Sequence, residues 1–201
     1  MAKFKYILLS VLSCLTNTSF ASPDTIQQKI DYYIAHAEFD SAKIYIQKNL
    51  DDINQKQNIN SLNYQLVKVL FIQSDYNEAL KKAFNSLDKI GYDKQQSVKF
   101  NFIIGCIYSA IKDYKESIEY FDLVVEHNQD TSLMVNTHLL LSQLHSELED
   151  RENEEKSITE AYKITSVSNV DGKIKNQVAR QYNFFNKNYE VCKELNFKTI
   201  R

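Results

Sequence analysis

Proline occurs once in this chain, glycine three times and tryptophan never, in 201 residues. So few chain breakers exclude a fold of many short strands and tight turns. With abundant Lys, Glu, Gln, Leu and Ile they predict an all-helical protein. Catalytic and metal signatures are missing as well. There is no His-Glu-x-x-His, no Cys-x-x-Cys, no glycine-rich phosphate loop and no Gly-x-Ser-x-Gly. Lys and Arg do not cluster, and the formal charge is −2, which is not the basic footprint of a nucleic-acid binder. Only one stretch is strongly apolar, at the N-terminus, so no transmembrane helix is expected after it.

That stretch has the layout of an export signal. Lys3 and Lys5 precede an apolar run from Tyr6 to Leu15, and Ser19-Phe20-Ala21 places small residues where a signal peptidase reads them. Residues 1–21 are therefore expected to be a signal peptide cleaved after Ala21, giving a periplasmic or secreted protein. The competing reading is a lipoprotein box, Val11-Leu12-Ser13-Cys14, which would lipidate Cys14. Removing residues 1–21 leaves Cys106 and Cys192, 86 residues apart. In a repeat array they belong to different repeats, so two separate thiols are expected rather than a disulfide.

What the chain has is a recurring motif. An aromatic residue followed three positions later by a small one appears as Phe39/Ala42, Tyr76/Ala79 and Tyr114/Ser117, and the aromatics are 37 and 38 residues apart. Each copy is flanked by apolar residues at helical spacing, such as Ile26, Ile30, Tyr33 and Ala37, or Phe100, Ile104, Gly105 and Tyr108. Asp24 with Gln27 has the form of a capping box before the first helix, and Gly91 that of a helix stop. Helix pairs at this period imply a stack in which each pair buries faces it cannot bury alone. Small residues such as Gly105 and Ser117 would let backbones approach, and Tyr108, Tyr114 and Phe121 would fill the space beside them.

These residues resemble the tetratricopeptide repeat family. Ile104, Gly105, Tyr108, Tyr114, Ser117 and Phe121 match its pattern well. The copies around Leu66, Tyr76 and Ala79, around Tyr33, Phe39 and Ala42, and around Leu141, Ser142 and His145 match in part. The fourth lacks the loop aromatic and has a longer loop at Asp150-Arg151-Glu152-Asn153. The resemblance implies an all-α superhelical stack of antiparallel helix pairs, a tetratricopeptide-like α-solenoid, as a single domain over residues 22–201. Repeats are expected near 23–57, 60–92, 98–130 and 135–168, with terminal helices over 173–198.

The resemblance also implies that the first helix of each pair lines a concave face. Projection onto that face selects Tyr64, Lys68, Phe71, Lys99, Phe102, Cys106, Asn136 and Gln143 as a peptide-binding groove, with Gln27, Asp31 and Ile34 from the first repeat and Ser109, Leu139 and Ser146 from the third and fourth. Tyr64, Phe71 and Phe102 would anchor apolar side chains. Lys68 and Lys99 would hold a carboxylate. Each of these has a plainer reading, as core aromatic or solvated lysine.

His138 and His145 are two turns apart, about 10.5 Å along a helix, too far for one metal ion without help. His145 stands where the repeat wants an aromatic, so a core histidine is expected there. The acidic run Glu147 to Glu155 reads as a solvated loop. The functional expectation is a non-catalytic scaffold of the bacterial cell envelope, with no cofactor and no metal, whose partner is a protein or extended peptide. Membrane contact would come only through a partner or through lipidation at Cys14. The alternative is the sensory module of an envelope signalling system acting through a separate membrane partner. An enzyme built from scattered residues is a third possibility.

Overall fold

The computed structural model describes residues 25–52, 59–91 and 93–199, the side chains of residue 95 and of residues 188–199 excepted. The expected signal peptide, the Ala21 cleavage site, Cys14 and the Cys192 thiol lie outside what is described. The described residues form helices and the turns between them: α1 (Ile26–Ala35), α2 (Phe39–Asp51), α3 (Ile59–Ile72), α4 (Tyr76–Ile90), α5 (Lys94–Ala110), α6 (Tyr114–His127), α7 (Thr131–Glu147), α8 (Arg151–Val167) and α9 (Gly172–Thr199). The all-α helical-repeat expectation holds. The chain divides into two compact units, residues up to Leu123 and from Val124 on. A single domain was the expectation, but an array whose repeats touch only their neighbours groups into sub-units readily.

Four turns repeat one geometry. Ala37, Ser74, Lys112 and Glu149 all have positive φ, between 58° and 68°, and they follow one another at intervals of 37, 38 and 37 residues. Each is the middle residue of a three-residue connection between the helices of a pair. In each, the next amide reaches back to the preceding helix: Glu38 N to Tyr33 O (2.8 Å), Asp75 N to Leu70 O (2.9 Å), Asp113 N to Tyr108 O (2.9 Å) and Asp150 N to His145 O (2.8 Å). This is a left-handed helix end that satisfies carbonyls the helix leaves open. None of the four residues is glycine, so each carries some backbone strain.

The fourth turn is therefore not longer than the others. What differs is the chemistry beside it. Arg151 and Glu154 occupy the register of Phe39/Ala42, Tyr76/Ala79 and Tyr114/Ser117, and they form an ion pair at 3.1 Å. The acidic run is largely helical, with only Leu148–Asp150 outside α7 and α8. The first capping box is shifted by one residue from the expectation. Thr25 Oγ1 accepts from Gln28 N, and Gln28 Oε1 accepts from Thr25 N. Gly91 ends α4 as expected, with φ +64°. The terminal pair expected over 173–198 is one continuous helix, α9, because no glycine or proline lies between Gly172 and the end of the chain.

In the first unit, consecutive helices from α1 to α5 pack on one another, and α3 also meets α5. The tightest point joins α5 to α6. Ser117 Oγ donates to Gly105 O at 2.8 Å within the interior, and the buried Phe121 ring lies under Gly105 and beside Phe102, with ring centroids 5.6 Å apart. In the second unit, Val135 and Leu139 of α7, Ile158 and Ala161 of α8, and Ile174, Val178 and Phe185 of α9 form the core. Tyr162 and Tyr182 stack at its edge, 4.3 Å apart.

A Cβ at Gly105 would sit 2.8 and 2.9 Å from two Phe121 ring atoms. Gly105→Ala should gain about 1 kcal/mol of helix propensity, but the fully buried ring has nowhere to go, and overpacking costs about 1–3 kcal/mol. The expected net result is destabilisation near 1 kcal/mol, read as a fall of about 2–4 °C in Tm. Phe121→Leu in the same chain should remove the penalty of the alanine. A Gly105→Ala protein as stable as the parent would contradict this packing.

Candidate functional site

The first helices of the repeats carry the candidate groove, and in the first unit these are α1, α3 and α5. They do not offer the open aromatic surface that the sequence suggests. Phe71 is buried, with Tyr76 of α4 5.9 Å away between ring centroids. Phe102 is buried beside Phe121. Cys106 is fully buried, and burial pushes its thiol pKa well above the usual range. These three are corrections to the open groove, and so are Lys68 and Asn136, which are equally buried. The close approach at Gly105 draws α6 against α5, and aromatic area is worth more inside that contact than in water.

Tyr64 is half-buried and meets Phe100 edge-on at 5.9 Å. Burial, with a smaller contribution from Cys106, raises its phenol pKa, so it stays a neutral hydroxyl. Lys99 is exposed, as a ligand-facing lysine requires. In the second unit Asn136 is buried, which removes it from an open surface. Gln143 is half-buried, and both polar atoms of its amide are buried without a hydrogen-bond partner.

Lys68 is the exceptional residue. It is 2% exposed, and among the described residues no hydrogen bond or ion pair reaches its ammonium. Desolvation lowers its pKa, and the carboxylate of Asp31 opposes that shift. Lys68 occupies the same register in its repeat as Asp31 in the one before. Beside it the structure shows a chain of amides that sequence reasoning missed. Gln65 Nε2 donates to Gln27 Oε1 (3.0 Å), and Gln27 Nε2 donates to Asp31 Oδ2 (3.1 Å). Gln65 lies one position away from the face used for projection, which hid it. The signal that could have found it is its 38-residue distance from Gln27, one repeat period.

Among the described residues no group of three or more His, Cys, Asp and Glu could hold a metal ion. His145 is mostly buried with Nδ1 3.4 Å from Asp150 Oδ2, in the aromatic register as expected. His138 is half-buried, and desolvation lowers its pKa, with Glu160 raising it and Lys156 lowering it to lesser degrees. No helix among the described residues is long and apolar enough to cross a membrane.

The helical hairpins, their constant period and the left-handed turns define a helical-repeat protein. Residues 98–131 match the tetratricopeptide repeat family. A solved tetratricopeptide repeat protein from Parabacteroides merdae superposes with a TM-score of 0.57 over 82% of this chain, at 12% sequence identity. The present chain spans 60% of that structure's length. No curated protein sequence matches the chain. In fold the chain is similar to tetratricopeptide repeat proteins, and its best-preserved repeat, residues 98–131, matches that family. Repeats of this family generally mediate protein–protein contacts and are generally non-catalytic.

The Lys68 environment fixes a pH dependence. Its pKa is lower in the fold than in the unfolded chain, so at neutral pH the unfolded state binds the proton more tightly. Stability then rises with pH between the lowered value and the ordinary lysine value of 10.5. Lys68→Met should raise stability at pH 7 by about 1–3 kcal/mol, the cost of a buried polar group without a partner. The advantage should shrink as pH approaches 10.5. Denaturant unfolding at both pH values checks this; a Lys68→Met chain that is less stable than the parent at pH 7 would show that the ammonium is well satisfied.

Proposed function

We propose that this protein is a non-catalytic scaffold of the bacterial cell envelope that holds a protein segment or extended peptide along the first helices of the repeats in its first unit. The observation that supports the reading is Lys68, a lysine only 2% exposed on the first helix of its repeat, with no hydrogen bond or ion pair among the described residues. A fold needs no charge there, whereas a polar ligand does. Tyr64 on α3 and Lys99 on α5 are the half-buried and exposed members of the expected groove in this unit.

Selection from a random 12-residue peptide library displayed on phage tests the reading. Peptides enriched on the parent protein should bind a Lys68→Met/Lys99→Ala protein at least about tenfold more weakly, since charge-assisted hydrogen bonds are lost. Equal binding to both would move the site to another face. No enrichment on the parent would remove the peptide-binding reading itself.

The envelope assignment rests on Lys3, Lys5, the apolar run to Leu15 and Ser19-Phe20-Ala21. Mass spectrometry of the protein from a bacterial expression host should find Ser22 as the first residue. An acylated Cys14 would make it a lipoprotein, and an intact Met1 in the cytoplasmic fraction would end the export proposal.

A further inference from the structure

The polar cluster on α1 and α3 has needs of both signs. Asp31 Oδ1 and Gln65 Oε1 are buried and accept no hydrogen bond among the described residues. Gln65 is itself more than nine-tenths buried. Lys68 lies on the same face of α3 as Gln65, three residues on, and offers ammonium protons that nothing described accepts. Buried polar groups are normally paired. Here two buried acceptors lack donors, and the Lys68 ammonium, which still reaches solvent, has no acceptor among the described residues.

We propose that this cluster is a subsite for one main-chain peptide group of an extended ligand, whose carbonyl accepts from Lys68 Nζ and whose N–H donates to Asp31 Oδ1 or Gln65 Oε1. The proposal rests on the peptide-binding reading above and names the ligand group that the cluster takes. Two features select an amide. Gln27 already places an amide in the cluster, with its carbonyl taking the Gln65 donor and its N–H on Asp31 Oδ2, at 3.0 and 3.1 Å. The charges also balance. A ligand carboxylate would gain Lys68 but meet the Asp31 carboxylate, and a ligand cation would meet the reverse. A neutral group with one donor and one acceptor satisfies both sides at no electrostatic cost. Recognition at this point would therefore be indifferent to the ligand's side chains and to its chain end, contrary to the carboxylate role first expected of Lys68.

NMR titration of the whole protein with small probes separates the readings. N-methylacetamide, a peptide-group analogue, should shift the Gln65 side-chain amide and the Lys68 side-chain signals saturably. N,N-dimethylacetamide, which keeps the carbonyl but has no N–H, should bind at least about fivefold more weakly. Sodium acetate at matched ionic strength should leave these signals unmoved. Asp31→Asn, at a half-buried position, should shift the preference towards acetate by leaving Lys68 unopposed. Saturation by acetate instead of the amide in the parent protein would overturn the inference while leaving peptide binding intact. No response to any probe would overturn it too, because the cluster would then be closed to ligands, and the phage selection would judge peptide binding separately. An Asp31→Asn protein that keeps the amide preference would overturn the charge balance on which the inference stands.

Discussion

The contact between Gly105, Ser117 and Phe121 is the constraint on which the best-formed repeat depends. Glycine removes the one carbon that would collide with Phe121, so α5 and α6 approach until Ser117 can reach the Gly105 carbonyl. That hydrogen bond satisfies a hydroxyl in the interior that would otherwise be costly. Phe121 then fills the space beneath, and Phe102 packs against it. Helix propensity is given up at one position for dispersion and burial at several. The equivalent A-helix positions are Ile30, Val67 and Ser142, so the other repeats must keep their helices apart by different side-chain volumes. Residues 98–131, which hold this contact, are the stretch that matches the family, and the same hairpin recurs along the chain.

Much of the fold was legible because its determinants are local. Scarcity of glycine and proline gives helix, and helical spacing of apolar residues gives the buried faces. The period is written in Phe39, Tyr76 and Tyr114. The misreadings arose where one geometry is reached by two chemistries. The turn at Leu148–Asp150 looked irregular because Arg151 and Glu154 replace the aromatic and small pair. The backbone nevertheless makes the same left-handed turn, closed by the same hydrogen bond from the following amide. An exposed ion pair contributes little to stability, so the fourth hairpin is held mainly by the α7, α8 and α9 core around Leu139, Ile158 and Val178. The one-residue shift of the first capping box, from Asp24 to Thr25, is of the same kind: both residues can cap, and only the backbone decides.

The site was less legible because projection onto a helix gives direction but not depth. Phe71, Phe102 and Cys106 lie in the registers chosen for a groove, yet Phe71 has Tyr76 as its neighbour, Phe102 has Phe121, and Cys106 is enclosed. Apolar groups at such positions are drawn inward whenever a neighbour can cover them. The polar groups divide: Lys99 is exposed and Gln143 half-buried, whereas Lys68 and Asn136 are drawn inward with the aromatics; Gln143 and Lys68 keep unmet hydrogen-bonding capacity. Gln65 escaped notice because its partner, Gln27, is a full repeat away in sequence. Nothing local in either glutamine's surroundings announces the bond.

Lys68 is where the sequence departs from what the fold alone asks. Neighbouring core positions on α3 are Leu66, Val67, Val69 and Leu70, and a methionine in place of Lys68 would fill the same length without a charge to desolvate. A chain selected for stability only has no reason to keep an ammonium there with Asp31 too distant to pair with it. Sequences depart from local rules of this kind mostly where a ligand or reaction supplies what the fold withholds. Lys68 and Gln65 are buried and Asp31 is half-buried; each has hydrogen-bonding capacity left over, and the leftovers are complementary in sign. Taken one at a time, each could be a tolerated defect; together on α1 and α3, they have the composition of one missing polar group.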